Sequence, residues 1–246
     1  MVTQLLPKVE EDASPFNVSI IIPTYNELEN IGKIIRAING LQLRQEIVVV
    51  DDSSPDATAG LVSKLSMDYN NVKFLVRPRK MGIGSAYKDG LKLASGNILF
   101  EMDADLSHNP QELSEIADAL EHADVVVASR HVSGGRIVGW KWYRKLIHTG
   151  ANLFAELVLG LKVKDSTSGF RAYRRAAFEQ IVLKSRFDGF EFQVEAIHIA
   201  RKLGLKVTEV PTTFINRRYG NSKLHPKDII SFAKAILKMK LRRGLI

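Results

Sequence analysis

The chain has 246 residues, 45% hydrophobic and 25% charged, the balance of a globular protein with one large α/β domain or two small ones. It contains no cysteine, which excludes a disulfide framework and any thiolate metal site. The formal net charge of +8 fits a basic surface and points to a polyanionic substrate, an anionic membrane surface or nucleic acid as charged partner.

Residues 1–16 are mixed and aperiodic and are expected to form a mobile tail. Glu10, Glu11 and Asp12 break the basic-then-apolar order of a signal peptide. No apolar run approaches the ~20 residues that a membrane helix needs. The longest, around residues 151–161, contains Glu156. Residues 18–22 are apolar and end at Pro23, the mark of a buried strand. Asn26 is expected to cap the following helix, with Glu29 as its capping-box partner and Gly40 as its stop. Residues 47–50 read as a second buried strand, running into Asp51-Asp52-Ser53-Ser54-Pro55-Asp56 and a helix to about Tyr69. A third strand is expected at 72–76, and loop then helix over 82–95, stopped by Gly96. A fourth strand starts at Ile98 and runs straight into Asp103-Ala104-Asp105. Pro110 opens a helix to about His122, and 124–128 is a fifth strand.

Strands alternating with helices of this length predict βαβ units and a mostly parallel, doubly wound sheet flanked by helices. Residues 17–129 are thus the expected nucleotide-binding half, and 130–225 the acceptor-side half of one domain. In the second half, residues 130–145 should form a ligand-wrapping loop rich in Gly, Arg, Lys and Trp, followed by a helix over 142–160. A short strand is expected at 168–174, helices near 175–183 and 191–203, and a last strand at 207–214. Pro211 puts that strand at an edge or a bulge. Pro226 opens a basic amphipathic helix, 226–246. Lys234, Lys238 and Arg242 lie on one side of it, opposite Ile229, Ile230, Phe232, Ala233, Ile236 and Leu237. Its apolar side can pack on the domain and its basic side can touch anionic lipid.

Polar groups follow successive strands. Pro23-Thr24-Tyr25-Asn26-Glu27 follows the first, Asp51-Asp52 the second, Asp103 and Asp105 the fourth, and Arg130 the fifth. Ligands gather just past the carboxyl ends of parallel strands, so these groups should form one site. Asp103 and Asp105, two apart on an extended chain, point the same way and can reach one hard cation. Asp52 can accept hydrogen bonds from a base or ribose. Gly82-Ile83-Gly84 lacks the third glycine of the dinucleotide fingerprint, because Tyr87 stands there; it either lets the loop pass close to a ligand or makes a turn. Arg130, Arg144, Arg217, Arg218 and Lys223 are the cationic candidates. The stretch 216–223 combines cations, an aromatic, Gly and small hydrogen-bond donors, which suits a flap over phosphates.

The motifs Pro23-Thr24-Tyr25-Asn26-Glu27, Val50-Asp51-Asp52-Ser53-Ser54-Pro55-Asp56, Asp103-Ala104-Asp105-Leu106-Ser107-His108, Ser129-Arg130, Ser168-Gly169-Phe170-Arg171 and Gly220-Asn221-Ser222-Lys223 occur in an order that resembles the dolichol-phosphate mannose synthases. These are polyprenyl-phosphate glycosyltransferases of the inverting GT-A type, family 2. Tyr143-Arg144-Lys145 and Phe192-Gln193-Val194-Glu195 add to the likeness, which covers about residues 17–241. The resemblance implies a GT-A fold, GDP-mannose as donor, dolichyl or polyprenyl phosphate as acceptor, and Mg²⁺ or Mn²⁺ as cofactor. It implies that Pro23, Tyr25, Glu27, Val50 and Asp52 hold the nucleotide. Asp103, Ala104 and Asp105 would hold donor and metal. Relatives with a third oxygen ligand often carry Gln where this chain has Ser107, which can ligate directly or through a water. Arg130, Arg144, Arg217 and Lys223 would lie among the phosphates, with Asp105, Arg130, Arg217 and Lys223 acting in catalysis. A membrane surface and a small membrane-anchoring subunit are further implied partners, with no nucleic acid. The implied location is peripheral, on the cytoplasmic face of the endoplasmic reticulum or, in a prokaryote, of the plasma membrane. Many relatives continue into membrane helices that this sequence lacks.

A phosphomonoester is largely dianionic at neutral pH, since its second pKa is near ~6, so such an acceptor needs no general base. Three alternatives remain open on sequence alone. One is a polyprenyl-phosphate transferase using UDP-glucose. Another is a family 2 enzyme acting on a sugar hydroxyl, with Asp165 or Glu191 as base. The third is a nucleic-acid-binding module, against which the acid pair speaks.

Overall fold

The computed structural model describes residues 17–217 and 226–242. The expected N-terminal tail and Lys223 lie outside the described residues, as do Arg218 and the rest of the 218–225 loop.

The strands are β1 (Val18–Thr24), β2 (Gln45–Asp51), β3 (Val72–Val76), β4 (Ile98–Glu101), β5 (Val125–Ser129), β6 (Arg136–Val138), β7 (Arg171–Arg174), β8 (Val207–Pro211) and β9 (Thr213–Ile215). The helices are α1 (Leu28–Asn39), α2 (Thr58–Asp68), α3 (Ile83–Leu93), α4 (Leu113–Asp118), α5 (Trp142–Leu159), α6 (Arg175–Lys184), α7 (Phe192–Lys202) and α8 (Pro226–Leu241). A seven-stranded sheet has the order β3-β2-β1-β4-β7-β5-β8. Among the described residues every pairing in it is parallel except the two that β7 makes, with β4 and β5.

The Val/Ile runs of β1, β2 and β5 are continuous because both sheet faces are covered. The strand period of two sends alternate residues to two cores. Ile21, Val48, Val50, Leu99, Val125 and Val127 meet residues of α3, α5, α6, α7 and α8 on one side. Ile20, Ile22, Ile47, Val49, Phe100 and Val126 meet α1, α2 and α4 on the other. In α1 the spacing of Ile31, Ile34, Ile35 and Ile38 puts all four on the buried stripe, each worth about 2 kcal/mol of burial.

Several boundaries differ from expectation for local reasons. Asn26 does not cap α1. It sits in the left-handed region at φ 57°, and Glu27 takes the cap position, its side chain bonding Asn30 Nδ2 rather than capping a first-turn N–H. The first-turn N–H of Leu28 donates instead to Asp56 Oδ2 of the next loop, at 3.1 Å. Asp56 also accepts the backbone N–H and the hydroxyl of Thr58, at the start of α2. Burial raises the Asp56 pKa, but these bonds outweigh it and hold the carboxyl below its usual range. The helix expected from Pro110 to His122 is α4 flanked by two 3₁₀ turns. The last strand divides at Thr212. β8 is an edge strand ending at Pro211, and β9 pairs in parallel with β6, a strand the sequence left as loop. On α8, Ala235, Ile236 and Met239 are buried while Ile230 and Leu237 are exposed. Arg242 turns inward to Glu195 at 3.7 Å rather than joining an outer basic face.

The two expected halves interlock in space. β7, from the second half, inserts between β4 and β5 of the first, with Glu101 opposite Arg171 and Val126 opposite Ala172. Among the described residues no helix is long and apolar enough to cross a membrane.

Candidate active site

β1, β2 and β4 run parallel, and β5 runs with them because β7 is antiparallel to both β4 and β5. Tyr25, Asp52, the two acids after β4 and Arg130 therefore share one edge of the sheet, as the sequence predicts.

At the β1–β2 end, Asp51 is structural. It accepts the Thr24 hydroxyl at 2.9 Å and the Ser54 N–H at 2.8 Å. Asp52, expected to present its carboxylate to a base or ribose, grips Arg77 instead. Arg77 Nε and Nη2 lie 2.6 and 2.5 Å from Asp52 Oδ1, and Oδ2 accepts the Met81 N–H at 3.1 Å. Arg77 is buried and donates onward to Ser85 Oγ and the Gly82 carbonyl, so it fastens the 77–85 loop to the strand edge. It follows β3 as Asp52 follows β2, and the same strand-end logic would have found it. Gly82, at φ 99°, packs against the Asp188 carbonyl, and a Cβ on Gly84 would stand 2.5 Å from Phe192 Cβ. Those glycines serve chain packing. Tyr25 is half-buried with the Lys80 ammonium 4.8 Å from its ring centroid. Pro23 is half-buried. Glu27 is buried and accepts Asn30 Nδ2 at 2.8 Å, while its own N–H donates to Thr58 Oγ1. The side chains of Val50 and Ala104 are buried in the two cores, which leaves only their main chains for any ligand.

The acid pair sits where expected. Ala104 faces the core while Asp103 and Asp105 face away from it. Leu106, at φ 63°, turns the chain sharply after them. Asp103 is one-third exposed, and His108 Nε2 lies 3.3 Å from its Oδ2. Burial pushes the Asp103 carboxyl up, but His108, Arg217 and Arg130 together hold it below its usual range. Asp105 Oδ1 accepts the Ser107 N–H at 3.0 Å, and Oδ2 pairs with Arg217 Nη2 at 2.9 Å. The Ser107 hydroxyl is buried without a partner among the described residues. A Cβ at Gly169 would stand 3.3 Å from Asp103 Oδ2, so glycine keeps that carboxylate uncovered. Two carboxylates and an orphaned hydroxyl form an all-oxygen donor set, which fits Mg²⁺ or Mn²⁺.

On the far side, Arg130 is buried against Asp165. Its Nε and Nη2 lie 2.7 Å from the two carboxylate oxygens and its main-chain N–H donates at 3.0 Å. That fork, expected among phosphates, is spent on Asp165 in this structure. Burial raises the Asp165 pKa, but Arg130 overrides it and drives the carboxyl far below the usual range. Asp165 is therefore a poor general base. Glu191, the other candidate base, accepts the Ser231 hydroxyl at 2.9 Å. Arg144 lies over the Trp140 ring at 4.2 Å and donates to Asn216 Oδ1 at 3.1 Å. Burial lowers the Arg144 pKa, followed by repulsion from Arg217 and Arg130. Arg217 arrives through β9, whose Ile215 N–H bonds the Ser107 carbonyl at 3.1 Å. Arg217, Arg144 and Arg130 are thus gathered beside the acid pair.

The sequence missed His108, Trp140 and a pair of histidines. His131 Nε2 and His148 Nδ1 lie 3.1 Å apart, and His148 Nε2 lies 2.8 Å from Thr167 Oγ1. Burial, then Arg130, pushes His148 down to about 3. His131, His148 and Asp165 bring ligand atoms within 4.8 Å of one another. Asp165 gives both its oxygens to Arg130, whereas among the described residues Arg217 takes one oxygen of Asp105 and none of Asp103, so the acid pair is the better metal site.

Residues 19–182 match the family described as glycosyl transferase family 2. The chain belongs to that family. This family 2 protein is 40% identical over 216 residues to the polyprenol monophosphomannose synthase of Mycolicibacterium smegmatis, covering 85% of this chain and 82% of that protein. It is 38% identical over 211 residues to the undecaprenyl-phosphate mannosyltransferase of Micrococcus luteus, covering 84% and 87%. Among solved structures, mannosyl-3-phosphoglycerate synthase from Rubrobacter xylanophilus superposes with a TM-score of 0.65 at 21% identity, over 93% of this chain and 74% of that one. A mannosyltransferase from Pyrobaculum calidifontis, solved with GDP-Man and Mn²⁺, superposes with a TM-score of 0.58 at 15% identity, over 92% and 70%. The fold of this family 2 chain is accordingly GT-A, a single mixed α/β domain with a mostly parallel central sheet.

Proposed function

We propose that this glycosyltransferase moves mannose from GDP-mannose to a dolichyl or other polyprenyl phosphate, with inversion at the sugar C1. The observation that carries this is the composition of the site. An acid pair stands beside Arg130, Arg144 and Arg217, and Asp165, one of the two candidate bases, is locked in a two-pronged pair with Arg130. Such a site manages charge and takes no proton. The names of the relatives from M. smegmatis and M. luteus support the acceptor and the sugar. The P. calidifontis neighbour, with its GDP-Man, supports the donor at the level of nucleotide sugar.

The balance of the step is simple. A phosphate oxygen of the acceptor forms the bond to C1 as the bond from C1 to the GDP oxygen breaks, and GDP leaves with that electron pair. The dianionic acceptor brings no proton to remove. Asp103, Asp105 and Ser107 would hold Mg²⁺ or Mn²⁺, which supplies neutralisation of the leaving pyrophosphate when bound. Arg217, paired with Asp105 Oδ2 at 2.9 Å, would compete with a cation for that carboxylate and lies beside the place where the phosphates would sit. Arg144 faces the acceptor side, its direct contacts being the neutral Asn216 and Trp140 among the described residues. Arg130 adds its charge from its seat on Asp165, where it repels the third cation less than a free guanidinium would. Lys223 is assigned to the same cluster by its motif. A membrane surface, the source of such an acceptor, is supported by the apolar stripe that α5 leaves exposed: Trp142, Leu146, Leu153 and Leu157.

The test is incubation with radiolabelled GDP-mannose and a polyprenyl phosphate, then partition into organic solvent. Label should enter the organic phase, and Asp105→Ala should lower the rate at least about 100-fold. Transfer from UDP-glucose in preference to GDP-mannose would replace the donor assignment. Full activity of the Asp105 variant under chelation would remove the metal role.

A further inference from the structure

We propose that Trp140 is a positioning residue for the acceptor, its indole holding Arg144 ready for a phosphomonoester dianion. This rests on the acceptor-side assignment made above. The guanidinium carbons of Arg144 and Arg130 lie 4.2 and 5.8 Å from the Trp140 ring centroid. Both distances lie within the ~6 Å over which a cation is attracted to the face of an aromatic ring. The ring is itself fixed edge-on, by Phe214 at 5.2 Å and His148 at 5.1 Å between centroids.

The need for such a platform follows from the charges. Arg130 has Asp165 and Arg217 has Asp105. Among the described residues Arg144 pairs with no carboxylate, only with Asn216 Oδ1 at 3.1 Å and the ring. It is partly desolvated, and Arg217 and Arg130 repel it, with Asp105 offsetting them only in part from beyond ion-pair distance. A guanidinium so placed would swing to water unless something apolar and electron-rich held it. A carboxylate could do that, but it would also neutralise the cation and compete with the incoming dianion. An aromatic face holds the cation and leaves its N–H groups and its charge for the phosphate. The Trp140 indole N–H is itself buried without a hydrogen-bond partner among the described residues, so none of them holds the residue by its polar atom.

The test reads acceptor binding apart from turnover. Decyl phosphate, a monoalkyl phosphate, is titrated into the protein by calorimetry, and GDP is titrated separately. Trp140→Leu should raise the decyl phosphate Kd about tenfold. It should leave the GDP Kd within twofold, on the order of experimental error for a site it does not touch. Trp140→Phe, which keeps a ring, should recover most of the loss. The chain has two tryptophans, so a Trp142→Phe background leaves Trp140 alone for replacement by fluorotryptophans of equal shape. Affinity for decyl phosphate should then fall stepwise as fluorine withdraws charge from the ring, a trend that holds even if the leucine variant folds poorly. An unchanged Kd across the fluorinated series, or equal weakening of GDP and decyl phosphate in the leucine variant, overturns the proposal. If the stepwise trend appears but no mannolipid forms from GDP-mannose, the Trp140 proposal stands and the donor assignment falls.

Discussion

Asp105 shows how a single carboxylate can hold one partner in place of another. Its Oδ2 is 2.9 Å from Arg217, so a cation at that carboxylate competes with the charge of the guanidinium. Arg217→Ala should therefore bind Mn²⁺ more tightly than wild type, by about threefold or more, given the ~1 kcal/mol of a partly exposed pair. Counting free Mn²⁺ by electron paramagnetic resonance checks this, and weaker binding by the variant would end the competition idea. The same variant should lose turnover, because Arg217 would be missing from the phosphates. At this scale the acid pair itself was legible, because a strand's period of two is local information. Its attachments were not. Asp52 meets Arg77 across 25 residues, and Asp105 meets Arg217 only through β9, so no local pattern announces either pair. Asp52 looked available for a base for that reason alone.

At the scale of elements, α8 packs an apolar side on the domain as its sequence suggests, while α5 carries an exposed apolar stripe that its sequence did not announce. The α8 helix buries Ala235, Ile236 and Met239 and ties Arg242 to Glu195, and Lys234 and Lys238 stay exposed. α5 buries Asn152, Ala155 and Leu159 and leaves Trp142 72%, Leu146 62% and Leu157 73% exposed, with Lys141 and Lys145 alongside. A helix lying in a membrane interface has that composition. Leu146→Glu and Leu157→Glu should each weaken sedimentation with anionic vesicles roughly tenfold, from the lost apolar contact of a side chain. Lys234→Glu should weaken it less. Equal binding by all three variants would take the membrane contact away from α5. Helix existence was legible along the chain, since α1, α3, α5, α6 and α7 fall within a few residues of their expected spans. The β6–β9 pair was not, because three-residue strands carry too few alternations to read.

For the whole molecule, buried imidazoles tie stability to pH. His198 is buried with both ring nitrogens unpartnered, and burial, then Lys202 and Arg201, pushes it down to about 4. In the unfolded chain it titrates near ~6.5, so between these values the unfolded state binds more protons and stability rises with pH. The stabilisation is complete above the unfolded value and is lost as pH falls through the folded one. Burial moves Glu101 the other way, up to about 7, so its contribution has the opposite slope above about 4.5. A difference measurement separates them. His198→Gln should flatten the slope of unfolding free energy between pH 4 and 6.5 by about 1.4 kcal/mol per unit. Urea midpoints across that window check it, and a slope equal to wild type would mean that His198 is not neutral in the fold. Globally, the parallel alternation of residues 17–129 was legible because each βαβ unit is contiguous, whereas the insertion of β7 was not, because antiparallel pairing with β4 and β5 is decided by strands far apart in the chain. That insertion has a consequence for biosynthesis. When a ribosome has released the first 130 residues, β4 and β5 have both emerged but lack the strand that joins them, and each presents a bare edge to solvent. Only after Arg174 clears the exit tunnel can the gap close, so a nascent chain stalled between these points should be the form that chaperones hold longest.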